Sequence, residues 1–193
     1  NEDAANAVAS GADALGFNFY KRSARYISPE KAAEICAKVP AFVTTVGLFV
    51  NEPLVDVNRI LREVGLGLLQ FHGDETPEYC ESLGYPYMKA LRATRRDQIK
   101  EEAQSFESSQ GILVDTATDG QFGGTGKTFD WSLLPDLGQP LVLAGGLVAA
   151  NVGAAIAATH PYAVDVSGGV ERSKGVKDMA EMKKFVEAVQ AAD

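Results

Sequence analysis

The chain has 193 residues, nearly half of them apolar, and a formal net charge of −8 at neutral pH. This length is typical of one domain, so we expect residues 1–193 to form a single domain. Nucleic acids and anionic membranes attract basic surfaces, and a strongly acidic chain is therefore expected to bind neither. The sequence shows two cysteines, no signal peptide and no apolar run of membrane-spanning length, which predicts a cytoplasmic protein without a disulfide.

Seven short apolar runs predict the strands of a parallel sheet, because strands covered by helices are apolar almost throughout. In chain order they are Asp13–Tyr20, Thr44–Val50, Leu66–His72, Tyr87–Ala93, Gly111–Thr116, Leu141–Gly146 and Tyr162–Gly169. Helical patterns lie between them. Capping residues and prolines predict helix starts at Ser28, Asn51 and Thr76. Further helices are predicted over Ala149–Ala158 and from about Val176.

The predicted helices outnumber the predicted strands. A helical stretch at Glu2–Ser10 precedes the first strand, which gives about eight helices against seven strands. A repeating strand–helix chain that closes on itself needs a strand before that first helix. We therefore predict an α/β protein, a (β/α)8 TIM barrel, whose first β-strand is absent from this chain.

Glycines end the last two predicted strands, at Gly145-Gly146 and at Ser167-Gly168-Gly169. Glycine lets the backbone approach a ligand closely, and successive backbone N–H groups can cradle an anion. In (β/α)8 barrels, the ends of the last two strands frequently hold a phosphate group. We therefore predict that a phosphorylated small molecule binds at these five residues.

Eight motifs in a fixed order carry a family resemblance. They are Gly11–Tyr20, Ser23–Ser28, Val46–Asn51, Leu69–Asp74, Leu113–Thr116, Gly123–Trp131, Leu143–Leu147 and Ala163–Glu171. Together they closely resemble the phosphoribosylanthranilate isomerases of tryptophan biosynthesis, over essentially the whole chain. The resemblance implies an Amadori rearrangement of an anthranilate joined through nitrogen to ribose 5-phosphate. It implies no cofactor and no metal, and a protein that acts as a monomer or a homodimer.

The sequence departs from the family in its first strand. Family members begin with a strand that ends in Lys-Ile-Cys-Gly-Ile-Thr, and the resemblance implies that its cysteine serves as the general base. No segment of this sequence matches that motif. Cys36 and Cys80 stand among apolar residues at helical spacing, so we expect both to be buried helix residues. The general base is then absent from the chain, and we expect these 193 residues alone to be inactive as an isomerase. A smaller departure is Gly168, where serine is common.

Asp115 and Arg25 are the main candidates for the chemistry. Asp115 ends an apolar strand, and a carboxylate there points into the mouth of a barrel, although aspartates that cap helices or order loops are common. Its position matches the family's general acid, and a partly buried carboxyl can stay protonated near neutral pH. Arg25 matches the residue that binds the anthranilate carboxylate, to which a planar guanidinium offers two parallel N–H groups.

Two other residues and one segment are weaker candidates. His72 stands at a strand end and is either a structural histidine or a substrate contact. Asp165 lies inside the last predicted strand and faces either the barrel interior or the helices. The glycines Gly123, Gly124 and Gly126 resemble the end of a nucleotide-binding loop that lacks its first required glycine. We predict instead a lid that closes over the substrate.

Two other functions stay open. One alternative is another phosphosugar barrel enzyme, such as a lyase that makes indole-glycerol phosphate. Its chemistry would need a lysine that acts as a general acid, with a carboxylate partner, at the strand ends. Lys89 is the only lysine within a predicted strand, which weakens this alternative. The chain could also be a catalytically incompetent fragment that binds only phosphate.

Overall fold

The computed structural model describes residues 2–116 and 128–192. Seven parallel strands form one sheet, and each strand pairs with the next one along the chain. They are β1 (Ala14–Asn18), β2 (Thr44–Phe49), β3 (Leu68–Phe71), β4 (Tyr87–Ala93), β5 (Ile112–Thr116), β6 (Leu141–Leu143) and β7 (Ala163–Val164). All seven predicted strands are confirmed, and the sheet order is the one expected of a repeating strand–helix chain.

The described residues contain seven α-helices. They are α1 (Glu2–Ser10), α2 (Pro29–Cys36), α3 (Leu54–Glu63), α4 (Pro77–Ser82), α5 (Arg96–Gln104), α6 (Val152–Thr159) and α7 (Met179–Gln190). The hydroxyls of Ser28 and Thr76 cap α2 and α4 by accepting backbone N–H groups three residues on, as the sequence predicted. None of these described helices is long and apolar enough to cross a membrane.

Side chains alternate along β4 between two separate cores, because successive strand residues point to opposite faces of a sheet. Tyr87 and Leu91 pack in the larger core, between the sheet and the helices on its outer side. Met88 and Ala90 point the other way, into a smaller core inside the curled sheet, formed by Val46, Met88, Ala90, Leu113 and Ala144. The sheet therefore encloses side chains on a face that none of the seven described helices covers.

The last helix joins the two ends of the sheet. α7 carries Met182 and Phe185 into a third core with Leu143 and Val152, beside β6 and α6. The same helix packs against α1, which directly precedes β1. Helix α7 therefore connects α6, near the β7 end of the sheet, with α1, near the β1 end. This connection is consistent with a curled sheet whose two edge strands approach each other.

The segment after β7 differs from its prediction. The strand predicted to reach Gly169 ends at Val164, and residues Gly168–Val170 form a 3₁₀ turn. A two-stranded antiparallel hairpin follows, with β8 at Glu171–Ser173 and β9 at Val176–Lys177. Helix α7 begins only after Asp178, whose side chain accepts the backbone N–H groups of its first turn. Glycines disfavour extended strand, and within residues 2–116 and 128–192 only β6 pairs with β7, so the chain leaves the sheet early.

A buried ion pair joins β4 to the loops after β2 and β3. Lys89 Nζ lies 3.1 Å from Glu75 Oε2 and donates to the carbonyl oxygens of Phe71 and Gly73, at 3.1 and 2.6 Å. Glu75 also accepts the backbone N–H groups of Asn51 and Gly73, at 2.7 and 2.9 Å. The side chains of Lys89 and Glu75 are only 4% and 1% exposed, so the pair is desolvated and saturated with hydrogen bonds.

We predict that Lys89→Met destabilises the protein by about 3–5 kcal/mol, because it leaves the buried Glu75 carboxylate without its cation. The measurement is urea unfolding at neutral pH. The control is Lys31→Met, which breaks the exposed Lys31–Glu34 pair and should cost at most about 1 kcal/mol. Equal losses in the two variants would contradict a structural role for the buried pair.

Candidate active site

The inner face of the sheet turns from apolar to polar at the carboxyl ends of the strands. On β5, Leu113 belongs to the inner core, and Asp115, two residues later, faces the same side. His72 directly follows β3, and its Nε2 lies 3.4 Å from Asp115 Oδ2. Two residues predicted separately, on strands that are not sheet neighbours, therefore meet across the mouth of the curled sheet.

The hydrogen bonds around His72 orient its ring. Gln70 Nε2 lies 2.9 Å from His72 Nδ1. An amide nitrogen can only donate, so Nδ1 accepts, and a neutral ring carries its hydrogen on Nε2. That assignment, which comes from the hydrogen-bond network, directs the Nε2–H group at the carboxyl of Asp115.

Asp115 is held at the base of the mouth. It is 9% exposed, and its Oδ1 accepts the backbone N–H of Thr116 at 2.7 Å. Gly145, at the end of β6, lies directly against it, with φ at +90°. A Cβ on Gly145 would lie 2.8 Å from the nitrogen of Thr116 and 3.0 Å from Asp115 Oδ1. Glycine at this position thus leaves room for the carboxyl.

Asp165 faces the interior, the first of its two predicted orientations. Its neighbours Val164 and Val166 pack in the core beside α7, which turns Asp165 towards the inner side. Desolvation and the nearby Asp115 carboxylate raise the pKa of Asp165, while His72 and Lys177 act against them. Because the Asp165 side chain is exposed to solvent, we ascribe its raised pKa mainly to the neighbouring Asp115 carboxyl.

Arg25 lies in a cluster of three charged side chains. Its Nε and Nη2 donate to the two carboxylate oxygens of Glu171, at 2.6 and 2.8 Å. Lys177 Nζ lies 3.2 Å from Glu171 Oε1 and donates to the carbonyl oxygen of Ser167 at 2.8 Å. Hydrogen bonding and the charge of Glu171 raise the pKa of Arg25 against the effect of burial. We call these three residues the Arg25–Glu171–Lys177 cluster.

The two glycine-ended segments are neighbours. Gly169 packs so closely on the carbonyl of Leu147 that a Cβ would overlap it. A Cβ on Gly168 would lie 3.4 Å from Arg25 Nη2, so this loop also borders the cluster. The segments at Gly145-Gly146 and Ser167-Gly168-Gly169 therefore line one side of the mouth together.

The structure thus brings together His72, Asp115, Asp165 and Gly145, and it places Arg25 beside the loop at residues 167–169. A cavity of about 300 Å³ extends from His72 and Asp115 along the end of β4 towards Lys89 and α5. The predicted lid glycines Gly123, Gly124 and Gly126 lie outside the described residues. Within residues 2–116 and 128–192, no group of three or more His, Cys, Asp or Glu side chains is placed to hold a metal ion.

Both cysteines lie in helices away from this mouth, as the sequence predicted. Cys80, in α4, is fully buried in the outer core, and burial raises the pKa of its thiol to about 12. Cys36, in α2, is partly buried, and burial also raises its pKa. Both thiols stay protonated near neutral pH, so neither is a base.

Sequence reasoning missed four polar residues of the mouth: Gln70, Arg92, Glu171 and Lys177. Arg92 is the register partner of Asp115 on β4 and lies two residues beyond Ala90 of the inner core. The period-two alternation could have identified Gln70 and Arg92, since both follow inner apolar positions. No local signal pairs Glu171 with Arg25, which is 146 residues distant.

Comparison with known proteins identifies relatives along the whole chain. The family profile for N-(5'-phosphoribosyl)anthranilate (PRA) isomerase matches residues 1–188. The N-(5'-phosphoribosyl)anthranilate isomerase of Pseudomonas putida strain F1 is 54% identical over 192 residues, which are 99% of this chain and 93% of that protein.

Solved structures agree with the sequence relatives. One, of monomers of the dimeric phosphoribosylanthranilate isomerase of Thermotoga maritima, has a TM-score of 0.84 and 38% identity, over 98% of this chain and 93% of that one. Another, a phosphoribosylanthranilate isomerase in complex with reduced 1-(o-carboxyphenylamino)-1-deoxyribulose 5-phosphate, has a TM-score of 0.85 and 37% identity, over 98% and 93%. The chain belongs to the N-(5'-phosphoribosyl)anthranilate isomerase family.

Proposed function

We propose that this protein converts N-(5-phosphoribosyl)anthranilate to its 1-deoxyribulose 5-phosphate ketose amine, by an Amadori rearrangement in tryptophan biosynthesis. The observation that carries the proposal is the carboxyl of Asp115 beside His72 Nε2, at a mouth bordered by two glycine segments and an arginine. A relative that binds a reduced product analogue supports the same substrate class.

Asp115 is the general acid of this reaction. Its proton passes to the ring oxygen of the ribose, the bond from the first sugar carbon to that oxygen breaks, and the nitrogen lone pair forms a protonated Schiff base. A base then removes the proton from the second sugar carbon, and the resulting enol tautomerises to the ketose amine. The Nε2–H of His72, which faces Oδ2, stabilises the carboxylate that remains after the first transfer.

The substrate's two anionic groups fit the other half of the mouth. We assign the anthranilate carboxylate to Arg25. We assign the phosphate to backbone N–H groups of Gly145, Gly146 and residues 167–169. The adjacency of Gly169 to Leu147 and of Gly168 to Arg25 supports one continuous site for both groups. The lid over residues 123–126 stays a prediction.

The lyase alternative is disfavoured by the environment of Lys89. A lysine that acts as an acid must be able to donate a proton to the substrate, whereas Lys89 Nζ is only 4% exposed and is held by Glu75 and two backbone carbonyl oxygens. A monomer or a homodimer remains the expected assembly, supported by the T. maritima relative, which is described as a dimeric enzyme. The single-domain organisation and the cytoplasmic location stay predictions.

We infer that an eighth strand closes the sheet into a (β/α)8 barrel and carries the family's general base. β1 and β7 end the described sheet, and Leu15 and Phe17 of β1 are apolar and buried. Apart from one bridge between Asn18 and Tyr26, the described residues supply no strand to the outer edge of β1. Unpaired edges of this kind favour a strand partner.

Adding the strand that ends in Lys-Ile-Cys-Gly-Ile-Thr before Asn1 should raise the melting temperature and restore isomerase turnover. The same strand with alanine for its cysteine should restore only the stability, because it supplies backbone partners but no base. Thermal melts and an isomerase assay on the three versions test this. Full turnover from the 193 residues alone would contradict the inference. Phosphate binding without turnover in all three versions would favour the incompetent fragment.

Asp115→Asn, in the version with the added strand, should lower turnover by about 10²–10⁴-fold, because the amide cannot donate the required proton. Its melting temperature should change little, since the side-chain oxygen still accepts the N–H of Thr116. Asp136→Asn, on the loop before β6, is the matched control and should keep full turnover. Wild-type turnover in Asp115→Asn would exclude the acid assignment.

Asp165→Asn should stabilise the protein at pH 7, because it removes one of two neighbouring carboxyl groups. A carboxyl whose folded-state pKa is raised is an unfavourable charge in the fold above its ordinary pKa of 3.8, and protonation removes that penalty at lower pH. The gain in melting temperature should therefore shrink as the pH falls from 7 towards 4. A gain that is independent of pH would show that carboxylate repulsion is not the cause.

A further inference from the structure

Glu171 occupies one edge of the Arg25 guanidinium. The two parallel hydrogen bonds, from Nε at 2.6 Å and Nη2 at 2.8 Å, use both carboxylate oxygens. A guanidinium has five N–H groups, so this pair leaves three donors, two on Nη1 and one on Nη2. Among residues 2–116 and 128–192, no side chain accepts from Nη1. The remaining edge therefore offers two parallel N–H groups to a second carboxylate.

Glu171 is itself held firmly. Its side chain is 5% exposed, against 18% for Arg25. Lys177 Nζ contributes a third donor to its carboxylate and at the same time bonds the carbonyl of Ser167. Burial raises the pKa of Glu171, but the hydrogen bonds and charges of Arg25 and Lys177 outweigh it and lower that pKa overall. Glu171 is thus a fixed anion between two cations, and the cluster keeps one net positive charge.

We propose that Glu171 is a positioning residue, which holds Arg25 so that its free Nη1/Nη2 edge receives the aromatic carboxylate of the substrate. Lys177 bonds both Glu171 and the carbonyl of Ser167, and it therefore fixes the carboxylate of Glu171 relative to residues 167–169. This inference rests on the proposed function, which supplies the carboxylate.

In the opposite role, Glu171 would compete with the substrate carboxylate for Arg25, and the substrate would have to displace it. Displacement would leave a carboxylate that is 5% exposed with Lys177 as its one remaining cation. Removing one partner of a buried pair is strongly unfavourable, and the Nη1/Nη2 edge is available without it. The geometry therefore favours positioning, and the two roles predict opposite effects on binding.

The test is Glu171→Gln, measured by calorimetric binding of two ligands. The first is reduced 1-(o-carboxyphenylamino)-1-deoxyribulose 5-phosphate, and the second is the same molecule without its carboxyl group. Glutamine cannot accept both N–H groups of Arg25, so the first ligand should bind about tenfold more weakly. The second should change by less than about twofold, because it makes no use of Arg25. Loss of a negative charge alone would strengthen anion binding, so a purely electrostatic effect has the wrong sign.

Glu181→Gln is the matched control. It removes the same charge from the exposed Glu181–Lys184 pair on α7 and should leave both affinities unchanged. The double variant Arg25→Met/Glu171→Gln should bind the first ligand as Arg25→Met alone does, because a positioning residue acts only through its partner. If Glu171→Gln does not fold, Glu171→Asp keeps the charge but shortens the side chain, and it should weaken the first ligand selectively.

Each result decides one of the two claims. Tighter or unchanged binding of the first ligand to Glu171→Gln, or to Glu171→Asp in its place, overturns the positioning role. Equal weakening of both ligands also overturns it, since a general loss of structure would act on both. If Arg25→Met itself leaves the affinity for the first ligand unchanged, the assignment of Arg25 in the proposed function is wrong, whatever Glu171 does.

Discussion

The alternation of side chains along curled parallel strands is the constraint on which the site depends. One face of the sheet packs on helices, and the other encloses a small apolar core of five residues. This inner core fills the middle of the enclosed face, and the polar side chains of the site lie beyond it, at the carboxyl ends of the strands. Asp115, His72 and Asp165 lie at this level, and strands that are distant in sequence supply them. The mouth is therefore a direct product of the fold.

One part of the mouth carries a local positive charge, although the protein as a whole is negatively charged. The chain carries a formal net charge of −8, yet the proposed substrate is anionic at both ends. Positive charge is concentrated where Arg25 and Lys177 flank Glu171, beside the loop at residues 167–169. A buried anion between two cations keeps both in place and still leaves a local positive field. The opposite side of the mouth carries the carboxyl groups of Asp115 and Asp165 and the ring of His72.

The buried Lys89–Glu75 pair stabilises the loops that follow β2 and β3, next to the mouth. It fixes the backbone of Gly73 and Asn51, in the loops after β3 and β2. Gly73 directly follows His72, so the pair also limits the movement of the histidine that faces Asp115. Lys89 thus lies on a strand that borders the mouth, while its ammonium group is occupied by Glu75 and two backbone carbonyl oxygens.

The repeating strands and helices could be predicted from the amino-acid order, since continuous apolar runs and capped helical patterns are local properties. Asp115, Arg25 and the glycine segments could also be predicted as candidates, because each stands at the end of a strand or within a family motif. The inward orientation of Asp165, the end of the last strand at Val164 and the hairpin before α7 became clear only from the folded chain. The partnership of Glu171 with Arg25 likewise required the fold, because the two residues are 146 positions apart and no local pattern encodes a contact at that distance. Local order follows from the chain's periodicity, whereas pairing between charges depends on which strand ends and loops the curled sheet brings together.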